Sequence, residues 1–149
     1  MVWDAFYPHG KSELTILKGT QRSENYIETL EDYLLPFFDR FPKEKFIFQQ
    51  DNASVHISKK TKKWFEEQKI EVLEWPALSP DLNPIENIYG ILARRDYANE
   101  RQFNTRNELI AIIQKTWNEI EPEFLSRLVG SMKNRCASAV EKKGDKISY

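Results

Sequence analysis

The chain has 149 residues, of which 40% are hydrophobic, 13% aromatic and 30% charged, with a formal net charge of −1. This composition is typical of a folded domain with a core of its own and excludes a disordered chain. A net charge near zero is unusual for a protein that binds nucleic acid alone, because such proteins carry an excess of lysine and arginine. If this chain contacts DNA, we expect another part of a larger protein to supply much of the affinity.

Three further features limit the class of protein. No apolar run approaches the ~20 residues of a membrane span, and the first residues do not have the basic and then apolar pattern of a signal peptide. The single cysteine, Cys136, cannot form an internal disulfide and is expected to be buried as a small hydrophobic group. We therefore expect an intracellular protein with no membrane partner and no small-molecule cofactor.

The N-terminal part of the chain predicts a hairpin followed by a helix. The segments "MVWDAF" and "SELTIL" (Ser12 to Leu17) predict two strands, with a turn at residues 9–11 between them. From Ser23, which we expect to be the N-cap, apolar residues recur at helical spacing as far as Phe41 and Pro42.

The next part of the chain predicts a strand, a helix and a second strand. "KFIFQQD" contains three consecutive apolar residues, 46–48, which are typical of a strand covered on both faces. Residues 58–68 predict a polar helix anchored by Trp64 and Phe65, and "IEVLEW" (Ile70 to Trp75) predicts the second strand. Such a βαβ unit has parallel strands and a right-handed crossover.

After a loop from Pro76 to Leu82, the rest of the chain predicts amphipathic helices, with apolar faces that begin near Ile85, Leu109 and Phe124. The fold class is therefore α/β leading into helices. We predict one domain over residues 1–149, with an α/β part at 1–100 and C-terminal helices at 101–149.

Two acidic residues follow the predicted parallel strands. Asp51 ends the "FIFQQ" strand, and Glu86 begins the helix after the next strand. Open α/β sheets place their sites beyond the carboxyl ends of the strands, so both acids should lie at one edge. Mg²⁺ and Mn²⁺ prefer such oxygen ligands. A structural explanation stays open for both, because aspartate is common at strand ends and Glu86 has a capping role.

The capping role of Glu86 follows from the segment "SPDLNPIEN", residues 79–87. Asn83 can cap a helix, Pro84 suits the first helical position, and Glu86 can reach back to the cap. A rigid helix start also holds a metal ligand better than a mobile loop does, so the two roles are compatible.

"FQQDNASVH" followed by "WPALSPDLNPIENIYGIL" closely resembles the catalytic domain of Tc1/mariner-family transposases, over nearly the whole chain. The family has an RNase H-like fold and an acidic DDE or DDD triad, and the 34 residues between the two acids match its DD34E subgroup. The resemblance implies that Asp51 and Glu86 are the second and third catalytic acids and that they hold one or two Mg²⁺ or Mn²⁺ ions. The implied reaction is phosphodiester hydrolysis at a transposon end, followed by attack of the freed 3′-hydroxyl on target DNA.

Residues next to the two acids are candidates for supporting the metal site. Asn52 and Asn87 adjoin the acids directly. His56 either lies near substrate phosphates, orients the loop after Asp51 or caps the following helix. Asp81 is an alternative ligand to Glu86, although we expect it to form a turn.

The resemblance aligns "MVWDAF" with the second strand of the family fold. We therefore expect the first central strand, its catalytic aspartate and the helix-turn-helix region to lie upstream of Met1, and the chain alone to be inactive unless Asp4 replaces that acid. The implied partner is DNA, with a homodimer left open, and the implied location in a eukaryote is the nucleus. Two alternatives remain: a non-enzymatic remnant that binds DNA or protein, and a nuclease without strand transfer.

Overall fold

The structure is a computed structural model that describes residues 1–76 and 79–142. Packing divides the chain into two compact units. The first contains Met1–Ala5 and Thr15–Ser79, and the second contains Phe6–Leu14 and the chain from Pro80 onwards. Residues 77 and 78 of the predicted loop, and residues 143–149 of the predicted C-terminal helices, lie outside the described residues. The predicted division at residue 100 stays a prediction.

The first residues form the predicted antiparallel hairpin as two short ladders. In the first unit β1 (Val2–Trp3) pairs with β4 (Thr15–Ile16), and in the second unit β2 (Phe6–Tyr7) pairs with β3 (Gly10–Lys11). The turn lies at residues 8–9 and not at 9–11, because the last two residues of the predicted turn pair in the second ladder.

The predicted first helix is present, with a change of helical spacing in its middle. It consists of α1 (Ser23–Thr29), a π-helical turn (Leu30–Leu34) and α2 (Leu35–Asp39). The Leu35 N–H donates to the Leu30 carbonyl, five residues earlier. The next residue, Pro36, has no N–H, and a wider turn is one way for a helix to accommodate such a gap in its hydrogen bonds.

The sequence predicts Ser23 as the N-cap of α1, and this prediction is wrong. The N-cap is Arg22, whose N–H donates to Asn25 Oδ1 at 3.2 Å. The asparagine three residues after the cap accepts this bond in the place where a capping box has a glutamate or glutamine. The start of the helix is therefore capped although no serine or threonine hydroxyl takes part.

The predicted βαβ unit is confirmed in the first unit. β5 (Ile47–Phe48) pairs in parallel with β6 (Glu71–Val72), and α3 (Lys59–Glu67) lies between them in the chain. The predicted anchors of this helix, Trp64 and Phe65, are both buried.

The expectation that β5 is covered on both faces is wrong. Ile47 is 56% exposed, whereas the ring of the next residue, Phe48, lies 5.6 Å from the ring of Phe65 on α3. Successive side chains of a strand point to opposite faces, so the helix covers only one of them.

The second unit contains the predicted C-terminal helices: α4 (Ile85–Asp96), α5 (Arg106–Asn118), α6 (Pro122–Gly130) and α7 (Met132–Glu141). One-turn 3₁₀ helices lie at Pro80–Leu82 and Ala98–Glu100. The buried apolar residues of this unit come from α4, α5, α6, the turn between α5 and α6, and the segment after β3; they are Leu14, Ile88, Leu92, Trp117, Ile120, Leu125 and Leu128. None of the helices within the described ranges has the length and hydrophobicity of a transmembrane span.

Cys136 is exposed, so the expectation that it is buried is wrong. Its neighbour on α7, Arg135, takes the buried position instead and donates from Nη1 to the Asp81 carbonyl at 3.1 Å. Adjacent residues on a helix face different directions, so only one of the two can face inward.

A buried hydrogen bond between α4 and α5 gives a test of this packing. Asp96 is 3% exposed, and its Oδ1 accepts from the Thr116 hydroxyl at 2.7 Å. Thr116→Val keeps the shape but removes the donor, and we expect the free energy of unfolding to fall by about 1–3 kcal/mol because an acceptor is left buried without its partner. Urea titration measures this loss, and Thr20→Val, the same change at an exposed residue, is the control. Equal stability of the two variants would contradict the prediction.

Candidate active site

Asp51 lies three residues after the end of β5 with its side chain 61% exposed. Its Oδ1 accepts two hydrogen bonds, from the Ala53 N–H at 2.9 Å and from His56 Nδ1 at 2.6 Å. An ionised carboxylate can only accept, so Nδ1 of the imidazole carries the proton. Oδ2 makes no hydrogen bond or ion pair with the residues that the structure describes.

The loop after Asp51 has a defined conformation. The N–H groups of His56 and Ile57 donate to the Ala53 carbonyl, at 2.8 and 3.1 Å. The Thr61 hydroxyl, inside α3, donates to the Val55 carbonyl at 2.6 Å. These bonds hold the carboxylate-bearing loop against the start of α3.

The cap of α3 is Ser58, whose hydroxyl accepts from the Thr61 N–H at 3.1 Å. His56 therefore does not cap this helix, and of the three roles left open for it the structure favours orienting the loop after Asp51. Asn52, the other predicted neighbour, donates from Nδ2 to the Trp75 carbonyl at 2.8 Å. The loop after β5 is thus tied to the segment after β6.

A buried tyrosine lies behind His56. The ring of Tyr26, on α1, is 4.3 Å from the imidazole centroid at an interplanar angle of 37°. The hydroxyl of Tyr26 donates to Gln50 Oε1, and Gln50 Nε2 donates to the His56 carbonyl at 3.5 Å. Burial raises the pKa of Tyr26, and the nearby charge of Asp51 raises it further, so the hydroxyl stays protonated and able to donate.

Sequence reasoning missed the part that Tyr26 plays. At its position in a helical repeat the residue looks like an ordinary core group, and it is one, with 4% of its surface exposed. The two glutamines before Asp51 were the one available signal, because polar side chains at the end of a buried strand need hydrogen-bond partners.

Glu86 lies in the first turn of α4, in the second unit, and its side chain is exposed. The helix begins at Ile85, and its N-cap is Pro84 and not the predicted Asn83. The Asn83 Oδ1 nevertheless accepts from the Ile85 N–H at 3.3 Å. The predicted capping box is not formed, because the Asn83 N–H donates to the Pro80 carbonyl. Within the described part of the chain, the Glu86 carboxylate has no hydrogen-bond or ion-pair partner.

The remaining predicted residues are Asn87, Asp81 and Asp4. Asn87 follows Glu86 on α4, and its Oδ1 is buried without a hydrogen-bond partner among the described residues. Asp81 lies in a 3₁₀ turn before the helix, as its expected turn role requires. Asp4 follows β1 in the first unit and is half-buried; the residue has an interaction partner, but its Oδ1 is buried without a hydrogen-bond partner among the described residues.

Asp51 lies in the first unit and Glu86 in the second. No group of three histidine, cysteine, aspartate or glutamate side chains suited to a metal ion occurs among residues 1–76 and 79–142. The donor chemistry of the two acids fits a divalent cation nevertheless. Each presents a carboxylate oxygen that no other described group occupies, and Mg²⁺ and Mn²⁺ take such oxygens as ligands.

Residues 2–110 match the family described as DDE superfamily endonuclease. The chain belongs to this family. Over all 149 residues it is 39% identical to the Transposable element Tc3 transposase of Caenorhabditis elegans, and covers 45% of that protein. It is 33% identical to the Tcb1 transposase of Caenorhabditis briggsae, and covers 54% of it. The chain thus spans about half the length of the curated relatives it matches.

Solved structures of a mariner transposase share the fold. The Mos1 catalytic domain with Raltegravir and Mg superposes with a TM-score of 0.81 at 24% identity, over 99% of this chain and 75% of that one. The Mos1 paired-end complex with the left transposon end gives a TM-score of 0.87 at 23% identity, over 99% and 44% of the two chains. These likenesses confirm the predicted α/β fold of the RNase H-like class, and the relatives confirm the resemblance to Tc1/mariner transposases.

Proposed function

We propose that this chain is a catalytic part of a DNA transposase that cleaves transposon ends and joins them to target DNA with Mg²⁺ or Mn²⁺. The observation that carries the proposal is that, in a chain of this family, both acids have a carboxylate oxygen available to a metal ion. Asp51 and Glu86 occupy the two motifs of the resemblance, and each presents a carboxylate oxygen that no described residue uses. Both side chains are exposed, so a cation from solvent can reach these oxygens.

In this proposal Asp51 and Glu86 hold the divalent ions. When bound, such ions activate the attacking oxygen and stabilise the leaving one. The residues of the chain supply position: the Ala53 N–H and His56 fix one oxygen of Asp51, and the start of α4 fixes the backbone of Glu86. Placement of reacting groups accounts for a large share of the rate in phosphoryl transfer.

The proposed partner is DNA, both transposon ends and target. The neighbouring Mos1 structures include a paired-end complex with a transposon end and a strand transfer complex, and we propose the same partner class here. A homodimer and a nuclear location in a eukaryotic cell belong to the same proposal.

We also propose that the chain alone is inactive. The triad of the family needs a third carboxylate. Asp4, the nearest substitute in the sequence, follows β1, which the resemblance aligns with the second strand of the family fold and not with the strand that carries the first aspartate. The separate chain should therefore neither nick nor join a transposon-end duplex in Mg²⁺ or Mn²⁺. Nicking that is lost in Asp51→Asn would contradict this statement while supporting the assignment of Asp51.

The experiment is a chimera in which this chain replaces the 45% of Tc3 transposase that it matches. With Tc3 transposon ends, we expect cleavage and strand transfer in Mg²⁺ and neither in EDTA, measured on denaturing gels that separate nicked and joined strands. Cleavage without joining would favour the nuclease alternative. DNA binding without cleavage, equal in Mg²⁺ and EDTA, would favour the non-enzymatic alternative.

A further inference from the structure

We infer that Tyr26, Gln50 and His56 form a positioning cluster that fixes the Asp51 carboxylate and makes it a one-oxygen ligand for a divalent cation. The inference rests on the proposed function and names residues that act on the same site. None of the three touches the reacting atoms in this inference. They act through Asp51, and they are positioning residues in that sense.

The first step concerns which oxygen of Asp51 is available. Oδ1 already accepts from the Ala53 N–H and from His56 Nδ1, at 2.9 and 2.6 Å. Two donors at these distances use the lone pairs that point away from the carbon, so a cation at Oδ1 would have to displace one of them. Oδ2 has no such donor among the described residues, and a cation therefore binds there, through one oxygen.

The second step concerns what holds the imidazole. His56 is mostly covered, with its side chain 22% exposed, and its ring lies against the buried ring of Tyr26 at 4.3 Å. The hydroxyl of Tyr26 binds Gln50, and Gln50 binds the backbone carbonyl of His56. The side chain and the backbone of the histidine are thus held from the same buried residue of α1.

The third step concerns the effect on a cation. A carboxylate on an exposed loop rotates, and its rotamer must be fixed each time that an ion binds. Here the two bonds to Oδ1 fix the rotamer in advance, so binding at Oδ2 carries a smaller entropic cost. Mg²⁺ requires near-ideal octahedral geometry and usually takes only one or two protein carboxylates, which suits a ligand that offers one oriented oxygen.

The test measures Mn²⁺ affinity of the whole chain by electron paramagnetic resonance, which detects the free ion. His56→Ala should weaken binding by about tenfold, the lower end of what loss of a ligand-orienting hydrogen bond costs a metal site. His56→Asn places its amide N–H near the position of Nδ1 and should restore most of the affinity. His56→Gln places its amide near Nε2 and should not.

Three controls separate the possible outcomes. Asp51→Asn should abolish this binding, and if it does not, the proposed metal site fails and the inference fails with it. If Asp51→Asn abolishes binding but His56→Ala leaves it unchanged, only the inference fails. His9→Ala, at the other histidine of the chain, should bind like the unchanged protein. Equal weakening in the Asn and Gln variants of His56 would mean general loss of packing and would also overturn the inference.

The contribution of Tyr26 has its own variant. Tyr26→Phe keeps the ring against the imidazole but removes the bond to Gln50, so Mn²⁺ affinity should fall by less than it does in His56→Ala. The same variant should shift the imidazole ¹⁵N resonances of His56, which report on the bond to Asp51. Affinity and resonances equal to those of the unchanged chain would remove Tyr26 and Gln50 from the cluster.

Discussion

Asp51→Asn in the Tc3 chimera should reduce the rate of DNA cleavage by about 10³-fold or more. Asparagine keeps the size of the side chain but removes the negative charge that the proposed metal site needs. Charge stabilisation by bound metal ions is worth several kcal/mol in the transition state, and about 4 kcal/mol corresponds to a rate factor of 10³. Single-turnover cleavage of a labelled transposon end in Mg²⁺ measures the effect directly.

Glu86→Gln should cause a loss of the same order, because Glu86 is the other proposed ligand. The matched control is Asp81→Asn, five residues earlier, which makes the same kind of change in a turn residue and should stay within a few-fold of the unchanged chimera. Loss of cleavage in Asp81→Asn with full activity in Glu86→Gln would mean that the third acid is Asp81. Full activity in both Asp51→Asn and Glu86→Gln would contradict the proposed active site altogether.

The placement of the two acids could be predicted because it depends on local sequence. The apolar run before Asp51 and the turn residues before Glu86 each define the end or start of an element, and both elements are present. The capping box was predicted by the same local reasoning and is not formed. The Asn83 N–H has a second acceptor, the Pro80 carbonyl, which depends on the 3₁₀ turn before the helix.

The strand lengths could not be predicted in the same way. The segments "MVWDAF" and "IEVLEW" have the composition of six-residue strands, yet each ladder in the described residues has two residues per strand. Composition shows which residues tolerate an extended backbone, whereas a ladder also needs a partner strand in register. The exposure of Ile47 has the same origin, because a strand sequence does not tell how many of its faces will be covered.

The contact between Tyr26 and His56 is beyond local reasoning for a further reason. The two lie 30 positions apart in the chain, and they meet because α1 packs against the α3 region within the first unit. Helical periodicity predicts that Tyr26 faces inward and says nothing of what it meets there. The positions of Asp51 after a strand and of Glu86 at a helix start were thus accessible from sequence, whereas the contacts around Asp51 required the tertiary structure.

Trp117→Ala should lower the free energy of unfolding by about 3–5 kcal/mol, the range for removal of a large buried aromatic side chain. Trp117 is the largest fully buried side chain among the described residues, with 1% of its surface exposed. Its indole N–H donates to the Ser12 carbonyl at 2.9 Å. The substitution therefore creates a cavity beside α5 and also removes this hydrogen bond.

The same tryptophan lies where the β2–β3 ladder meets the end of α5. The Lys11 ammonium donates to the carbonyls of Trp117 and Ile120 at 2.6 Å each, and to that of Asn118 at 3.0 Å. These carbonyls lie at the end of α5 or just after it, where the regular donors of the next helical turn are missing. The Trp117 carbonyl also accepts from the Ile120 N–H at 3.1 Å. Burial lowers the pKa of Lys11, and the charge of Glu121 partly offsets this. Loss of the indole would loosen the ladder at the point where the lysine caps the helix.

Two further variants divide the effect of Trp117→Ala into its parts. Trp117→Phe keeps an aromatic ring but removes the N–H, so it should cost less than the alanine variant. We expect a loss of about 1 kcal/mol, the usual net contribution of one hydrogen bond. Val140→Ala, at an exposed position on α7, should stay within about 0.5 kcal/mol of the unchanged chain. Urea unfolding followed by circular dichroism gives all three values.

A loss below about 1 kcal/mol in Trp117→Ala would mean that α5 does not pack on the ladder as described. The position of α4, which packs on α5 and carries Glu86, would then be in question.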